Sequence, residues 1–178
     1  MKKNIIVYYS RKGSNKFLAE QAAATLQCEI VPLKPRLNLL FFLLLSSATK
    51  ISLGNRSIKT DFKDFESIIL CGPIWMGQFV SPLYDFVKKY KNDIQHLDFI
   101  TCCGSTDTAK NERFGYATVF PKIREILGDK CGKCEAFPIE LIVPEEKRND
   151  DQAMMNARLS ASNFTGEIKK RFDNFFEA

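Results

Sequence analysis

An α/β fold built on a five-stranded parallel sheet is predicted by three features of this sequence. Short apolar runs recur at domain-like intervals, at 5–9 (IIVYY), 29–33 (EIVPL), 67–72 (SIILCG), 99–104 (FITCCG) and 136–143 (AFPIELIV). Each is apolar at consecutive rather than alternate positions, as strands buried on both faces are. Segments with helical periodicity separate them, and strands alternating with helices imply crossovers that cover both faces of the sheet.

The helices follow from their spacing and their end signals. After the first strand, Leu18, Ala22 and Leu26 recur every fourth residue. In SPLYDFVKKY, Ser81 is placed to cap and Pro82 to open a helix, with Leu83, Phe86, Val87 and Tyr90 forming its apolar stripe. Tyr116, Val119, Phe120, Ile123 and Leu127 make a third face, where Pro121 starts or kinks the helix. Met154, Ala161, Phe164, Ile168, Phe172 and Phe175 read as one long C-terminal amphipathic stripe. The segment 34–59 contains the nearly all-apolar run LNLLFFLLL (37–45). It reads as a buried crossover helix. The sharper alternative is an apolar flap that contacts a partner, a membrane surface or a second copy of the chain.

Composition narrows the function classes. The 178 residues, 45% hydrophobic and 26% charged, suit one globular domain spanning 1–178. The net charge of +5 is spread along the chain, without an Arg/Lys block or an RNA-type aromatic motif, so nucleic acid is not the expected partner. No apolar run approaches the roughly 20 residues that span a bilayer, and the start, MKKNIIVYYS, lacks a signal-peptide core. Six cysteines without a secretory signal point to reduced thiols in the cytoplasm.

In an open parallel sheet, ligands bind beyond the carboxyl ends of the strands. Three loops there carry chemistry. The turn SRKGSN (10–15) gathers hydroxyl, amide and backbone donors at a helix N-terminus, which suits an anion such as phosphate. It matches neither the Walker loop nor the dinucleotide glycine fingerprint, since Gly13 is its only glycine. The loop CGPIWMGQFVSP (71–82) holds the sole Trp, Trp75, placed to stack on a flat ring, with Gly77 allowing close backbone approach. The stretch CCGSTDTAKNERFGY (102–116) adds Gly104, Ser105 and Thr106 as further donors.

Taken together, these loops make the chain resemble the flavodoxin family. The resemblance covers essentially the whole length and is most specific in VYYSRKGSNKFLAE and CGPIWMGQFVSPL. It implies a three-layer, flavodoxin-like sandwich with strand order 2-1-3-4-5, holding FMN non-covalently and passing electrons through it. It also implies site residues. Ser10, Lys12, Gly13, Ser14 and Asn15 would surround the 5′-phosphate, and Trp75 would flank the isoalloxazine ring, with Pro73 and Ile74 leading into the same loop. The Met76–Gly77 backbone would approach flavin N5, and Cys103, Gly104 and Ser105 would border the pyrimidine end. Lys12 and Asn15 stand where the family usually has threonines, and the net positive charge departs from its acidic members. The implied role is electron carrier or small FMN-dependent reductase, with a redox partner protein or a nicotinamide cofactor as electron donor. The alternative is a partner-binding module of the same fold without flavin, using the apolar 37–45 segment for a partner or homodimer contact.

The motif CGKC (131–134) has C-x-x-C spacing but is expected before strand five, not at a helix start. It therefore reads as a tight Gly-Lys turn with two incidental thiols rather than as a redox pair or zinc site. Cys71, Cys102 and Cys103 read as apolar filler in strands, and His96 as a surface residue.

Overall fold

A computed structural model describes residues 3–37 and 54–177. Five strands, β1 (Asn4–Tyr8), β2 (Glu29–Pro32), β3 (Ser67–Cys71), β4 (Leu97–Cys103) and β5 (Cys131–Pro138), form one parallel sheet in the order 2-1-3-4-5. Side chains alternate between its faces. Ile5, Val7, Ile68, Leu70, Leu97 and Phe99 join one core, and Ile6, Ile69, Cys71, Ile100 and Cys102 the other. The apolar runs are continuous because both faces are covered.

Helices α1 (Ser14–Leu26) and α5 (Gly166–Glu177) cover the second core, and α2 (Ser81–Tyr90) and α3 (Phe120–Leu127) the first. A short helix, α4 (Asp151–Asn156), precedes α5. This is the three-layer flavodoxin-like architecture. No helix among the described residues is long and apolar enough to cross a membrane.

Several local expectations are corrected. The edge strand β2 is not buried on both faces: it pairs only with β1, and Glu29 and Ile30 are exposed. The fifth strand begins at Cys131, so CGKC forms its first four residues instead of a preceding turn. It ends at Pro138 because β4, its only neighbour, ends opposite it at Cys103. Beyond that point Ile139–Ile142 winds into a 3₁₀ turn. Ser81 is the first residue of α2, not its cap, and its hydroxyl donates to the Asp85 carboxylate at 3.4 Å. The C-terminal stripe is two helices. Asp150 caps α4 through Gln152 N–H, and a Ser160–Asn163 hydrogen bond closes the turn between them. Ala161 lies exposed in that turn. The apolar 37–45 segment, apart from exposed Leu37, lies outside the described residues. Flanking it, Pro35 and Asn55 meet in an antiparallel bridge.

Candidate functional site

The loops after β1, β3 and β4 border a single cavity of about 790 Å³, within the usual range of cofactor sites. The first loop is shaped by Gly13, whose φ of 99° is unfavourable for any side chain. Its N–H donates to Ser10 Oγ at 3.2 Å. Gly13 then serves as the N-cap of α1 without a side-chain cap, and no acidic residue occupies the first helical turn. The first-turn N–H groups of a helix have no intrahelical acceptor, so this end of the cavity attracts an anion. Ser10, Lys12, Ser14 and Asn15 all line it.

Asn15 does more than line the wall. It is 5% exposed, and its carboxamide is committed to β4: Nδ2–H donates to Cys102 O at 2.9 Å, and Cys102 N–H donates to Oδ1 at 2.8 Å. Cys71 Sγ donates to the Asn15 carbonyl at 3.2 Å. What Asn15 offers a ligand is therefore main-chain.

The second loop is a tight hairpin, Ile74–Trp75 paired with Gln78–Phe79. Its central residues, Met76 and Gly77, have φ of 51° and 67°, the positive pair of a type I′ turn. Gly77 is sterically required, since a Cβ there would sit 2.5 Å from Arg113 O. Lys122 Nζ–H donates to Gly77 O at 2.6 Å, tying the hairpin to α3. Pro73, Ile74, half-buried Trp75 and exposed Met76 line the cavity.

The third loop is braced from outside the site. Arg171 of α5 grips Asp107 with two hydrogen bonds, of 3.1 and 2.7 Å, and Tyr116 OH donates to Asp107 Oδ1 at 2.7 Å. Asp107 N–H donates to Glu140 Oε1 at 2.6 Å. The Arg171 hydrogen bonds hold the Asp107 carboxyl below its usual range, and burial with the Asp107 bond pushes the Tyr116 phenol up. This brace carries Cys103, Gly104 and Ser105 along the cavity wall. Ser105 Oγ is buried without a hydrogen-bond partner, a polar atom for which a ligand edge would provide one. Burial pushes the Cys102 thiol up to about 12 and raises Cys71 and Cys103 as well, so these three remain neutral thiols.

Of the thirteen residues expected at the site, eleven line the cavity. Gly13 and Gly77 instead set the turns. Sequence reasoning missed the fourth wall, formed by Met154 and Met155 in the last turn of α4 and by Ala157 and Arg158 just after it. Leu159 N–H donates to Ser14 Oγ at 3.1 Å, fastening this segment to the first loop. Glu112 and Phe114, in the far half of the third loop, were also missed, although they lie within its quoted stretch. The charged lining residues are Arg11, Lys12 and Arg158 against Glu112 alone, so the site is net cationic.

A parallel 2-1-3-4-5 sheet with a cationic cleft across the ends of β1, β3 and β4 defines a flavodoxin-type protein. Residues 44–145 match the family model described as flavodoxin domain, and the chain belongs to that family. No curated protein matches the sequence significantly. Solved structures share the fold at low identity. A flavoprotein from Lactobacillus acidophilus in complex with FMN is 16% identical with a TM-score of 0.60, over 76% of this chain and 91% of the other. A provisionally assigned flavoprotein from Bacteroides eggerthii is 14% identical with a TM-score of 0.63, over 87% and 94%. A flavodoxin variant from Fusobacterium nucleatum bound to flavin mononucleotide is 13% identical with a TM-score of 0.53, over 99% and 94%.

Proposed function

We propose that this chain binds FMN non-covalently in the cleft and serves as an electron carrier or small FMN-dependent reductase. The observation that carries this reading is the polarity of one cavity. Its uncapped α1 terminus, with Lys12 and Arg158, lies at one part of the wall, and Trp75 with the unpartnered Ser105 hydroxyl at another. An anionic tail and a flat ring with polar edge atoms meet both demands. The bound flavin would supply the one- or two-electron chemistry.

The residues of this chain have positioning roles. The Ser14 and Asn15 N–H groups and the Ser10 and Ser14 hydroxyls would hold the phosphate, and Lys12 would add charge. Trp75 would stack on the ring while Ser105 takes a hydrogen bond at its edge. The Met76–Gly77 backbone would lie beside the reacting edge, its conformation held by Lys122 and by the Arg113–Phe114 backbone. Met76, Phe114 and Met155 are exposed on the rim, giving a second molecule an apolar approach. A redox partner protein or a nicotinamide cofactor would deliver electrons there.

The test is a visible absorption spectrum after incubating the purified protein with FMN and removing free flavin by gel filtration. Flavin eluting with the protein supports the reading. Colourless protein overturns it and leaves a partner-binding module of the same fold.

A further inference from the structure

The C-x-x-C motif lies outside the cavity, and its geometry differs from that of a plain strand. Cys131 is paired with Leu97, and Cys134 with Phe99. Three steps along β5 therefore oppose two along β4, so one extra residue is accommodated as a bulge. In a regular strand, residues three apart point to opposite faces. The bulge corrects that parity: both cysteines pack against the same core cluster, with their sulfurs 3.9 Å apart.

The bulge is held by its own set of contacts. Lys133 N–H donates to Asp98 Oδ1 at 2.7 Å, and His96 Nε2 lies 3.1 Å from the same oxygen. Gly132 lets Asp98 and His96 pack closely over the bulge, since a Cβ there would have to push Asp98 Oδ1 and the His96 ring aside. Both cysteines are half-buried, and neither is in a disulfide. No set of three His, Cys, Asp or Glu residues among the described ones is arranged to hold a metal ion.

We propose that Cys131 and Cys134 are a redox dithiol that exchanges with low-molecular-weight disulfides and closes an intramolecular disulfide across the β5 bulge. Cys131 is the attacking sulfur: burial raises its thiol, but less than that of Cys134, because the Cys134 thiol and the Arg124 cation offset part of the rise. Cys134, pushed up to about 12 by burial, is the resolving thiol. Cys131 thiolate attacks one sulfur of the small disulfide R–S–S–R, breaking that bond and releasing RS⁻. Cys134 then gives its proton to a departing thiolate, and its sulfur displaces the second RS⁻ from Cys131. Two protein thiols are oxidised by two electrons, and one small disulfide is reduced to two thiols.

The pair is separate from the flavin reading. It starts β5, whereas the cavity meets that strand beyond Pro138, on the order of 20 Å away at about 3.3 Å per residue. Failure of either proposal leaves the other standing.

The experiment exposes the reduced full-length protein to excess oxidised glutathione, quenches with acid, alkylates under denaturing conditions and digests with trypsin. Cleavage after Lys133 leaves 131–133 and 134–147 joined only through sulfur. The expected product is that linked pair, with Cys71, Cys102 and Cys103 still alkylated. Cys134→Ser should instead stop at glutathione on Cys131. The proposal is overturned if Cys131 and Cys134 are both still alkylated at the end of the exposure. Glutathione persisting on either one in the wild-type protein would overturn it equally.

Discussion

Asn15 and Cys102 exchange two hydrogen bonds, of 2.9 and 2.8 Å, between a side-chain amide and a strand backbone. The pair sits 87 residues apart in sequence and joins the first turn of α1 to the end of β4. It sets the first loop of the cleft against the third. Asn15→Ala leaves a buried N–H and a buried carbonyl without partners. Each orphan costs about 1–3 kcal/mol, so a loss of roughly 2–6 kcal/mol is expected in urea unfolding. The slope of the transition should stay unchanged, because the surface exposed on unfolding hardly changes.

The two glycines that set the turns should differ in their response to alanine. At Gly13 an added Cβ meets nothing within 4 Å, so only the backbone penalty of positive φ applies, about 1–2 kcal/mol. At Gly77 the same penalty combines with a clash against the Arg113 carbonyl. Gly77→Ala should therefore be the more destabilising in thermal unfolding, and it should move the third loop as well as the hairpin. Equal losses at both positions would show that the hairpin is not wedged against residues 113 and 114.

The Asp107 brace makes stability depend on pH at both ends. The Asp107 carboxyl is lowered chiefly by its Arg171 hydrogen bonds. Its contribution is present above the unfolded value of about 3.9 and is lost as pH falls through the lower folded value. The Tyr116 phenol is raised by burial and by Asp107, so its contribution is present below about pH 10 and lost as pH rises through its folded value. Asp107→Asn should lower the urea midpoint at neutral pH. Its difference from wild type should shrink steadily below about pH 4.

Trp75→Ala should weaken FMN binding by roughly 1–3 kcal/mol, or about 5- to 150-fold, since ring stacking on an aromatic side chain is worth that much. Trp75→Phe should recover part of the loss. Fluorescence titration reads both. Unchanged affinity in the alanine variant would remove Trp75 from the ring site.

What was legible in the sequence follows from how local each signal is. Strands β1, β3 and β4 emerged within a residue or two because buried parallel strands are continuously apolar, as Ile5–Val7 and Ile68–Cys71 are; the exposed edge strand β2 was found by its short apolar run alone. Strand five slipped because its limits are set by β4, and the largely apolar residues 139–143 continue past the last partner. Ser10, Gly13 and Trp75 stood out because turn chemistry and a lone aromatic are local features. The commitment of Asn15 to Cys102 and the arrival of Arg158 beside the first loop depend on contacts across most of the chain, which no spacing encodes. The cysteine pair was placed before strand five rather than inside it for a similar reason. Its face is decided by a bulge that Asp98, on the neighbouring strand, stabilises.

The central claim is that one cleft recognises both an anionic tail and a flavin ring. It is tested most directly by titrating the protein with FMN and with riboflavin, which lacks the phosphate, while following flavin fluorescence. Charge-assisted hydrogen bonds to the phosphate are worth about 1.5–3 kcal/mol, so FMN should bind at least about 10-fold more tightly. Equal affinities, or no binding of FMN, would contradict the account.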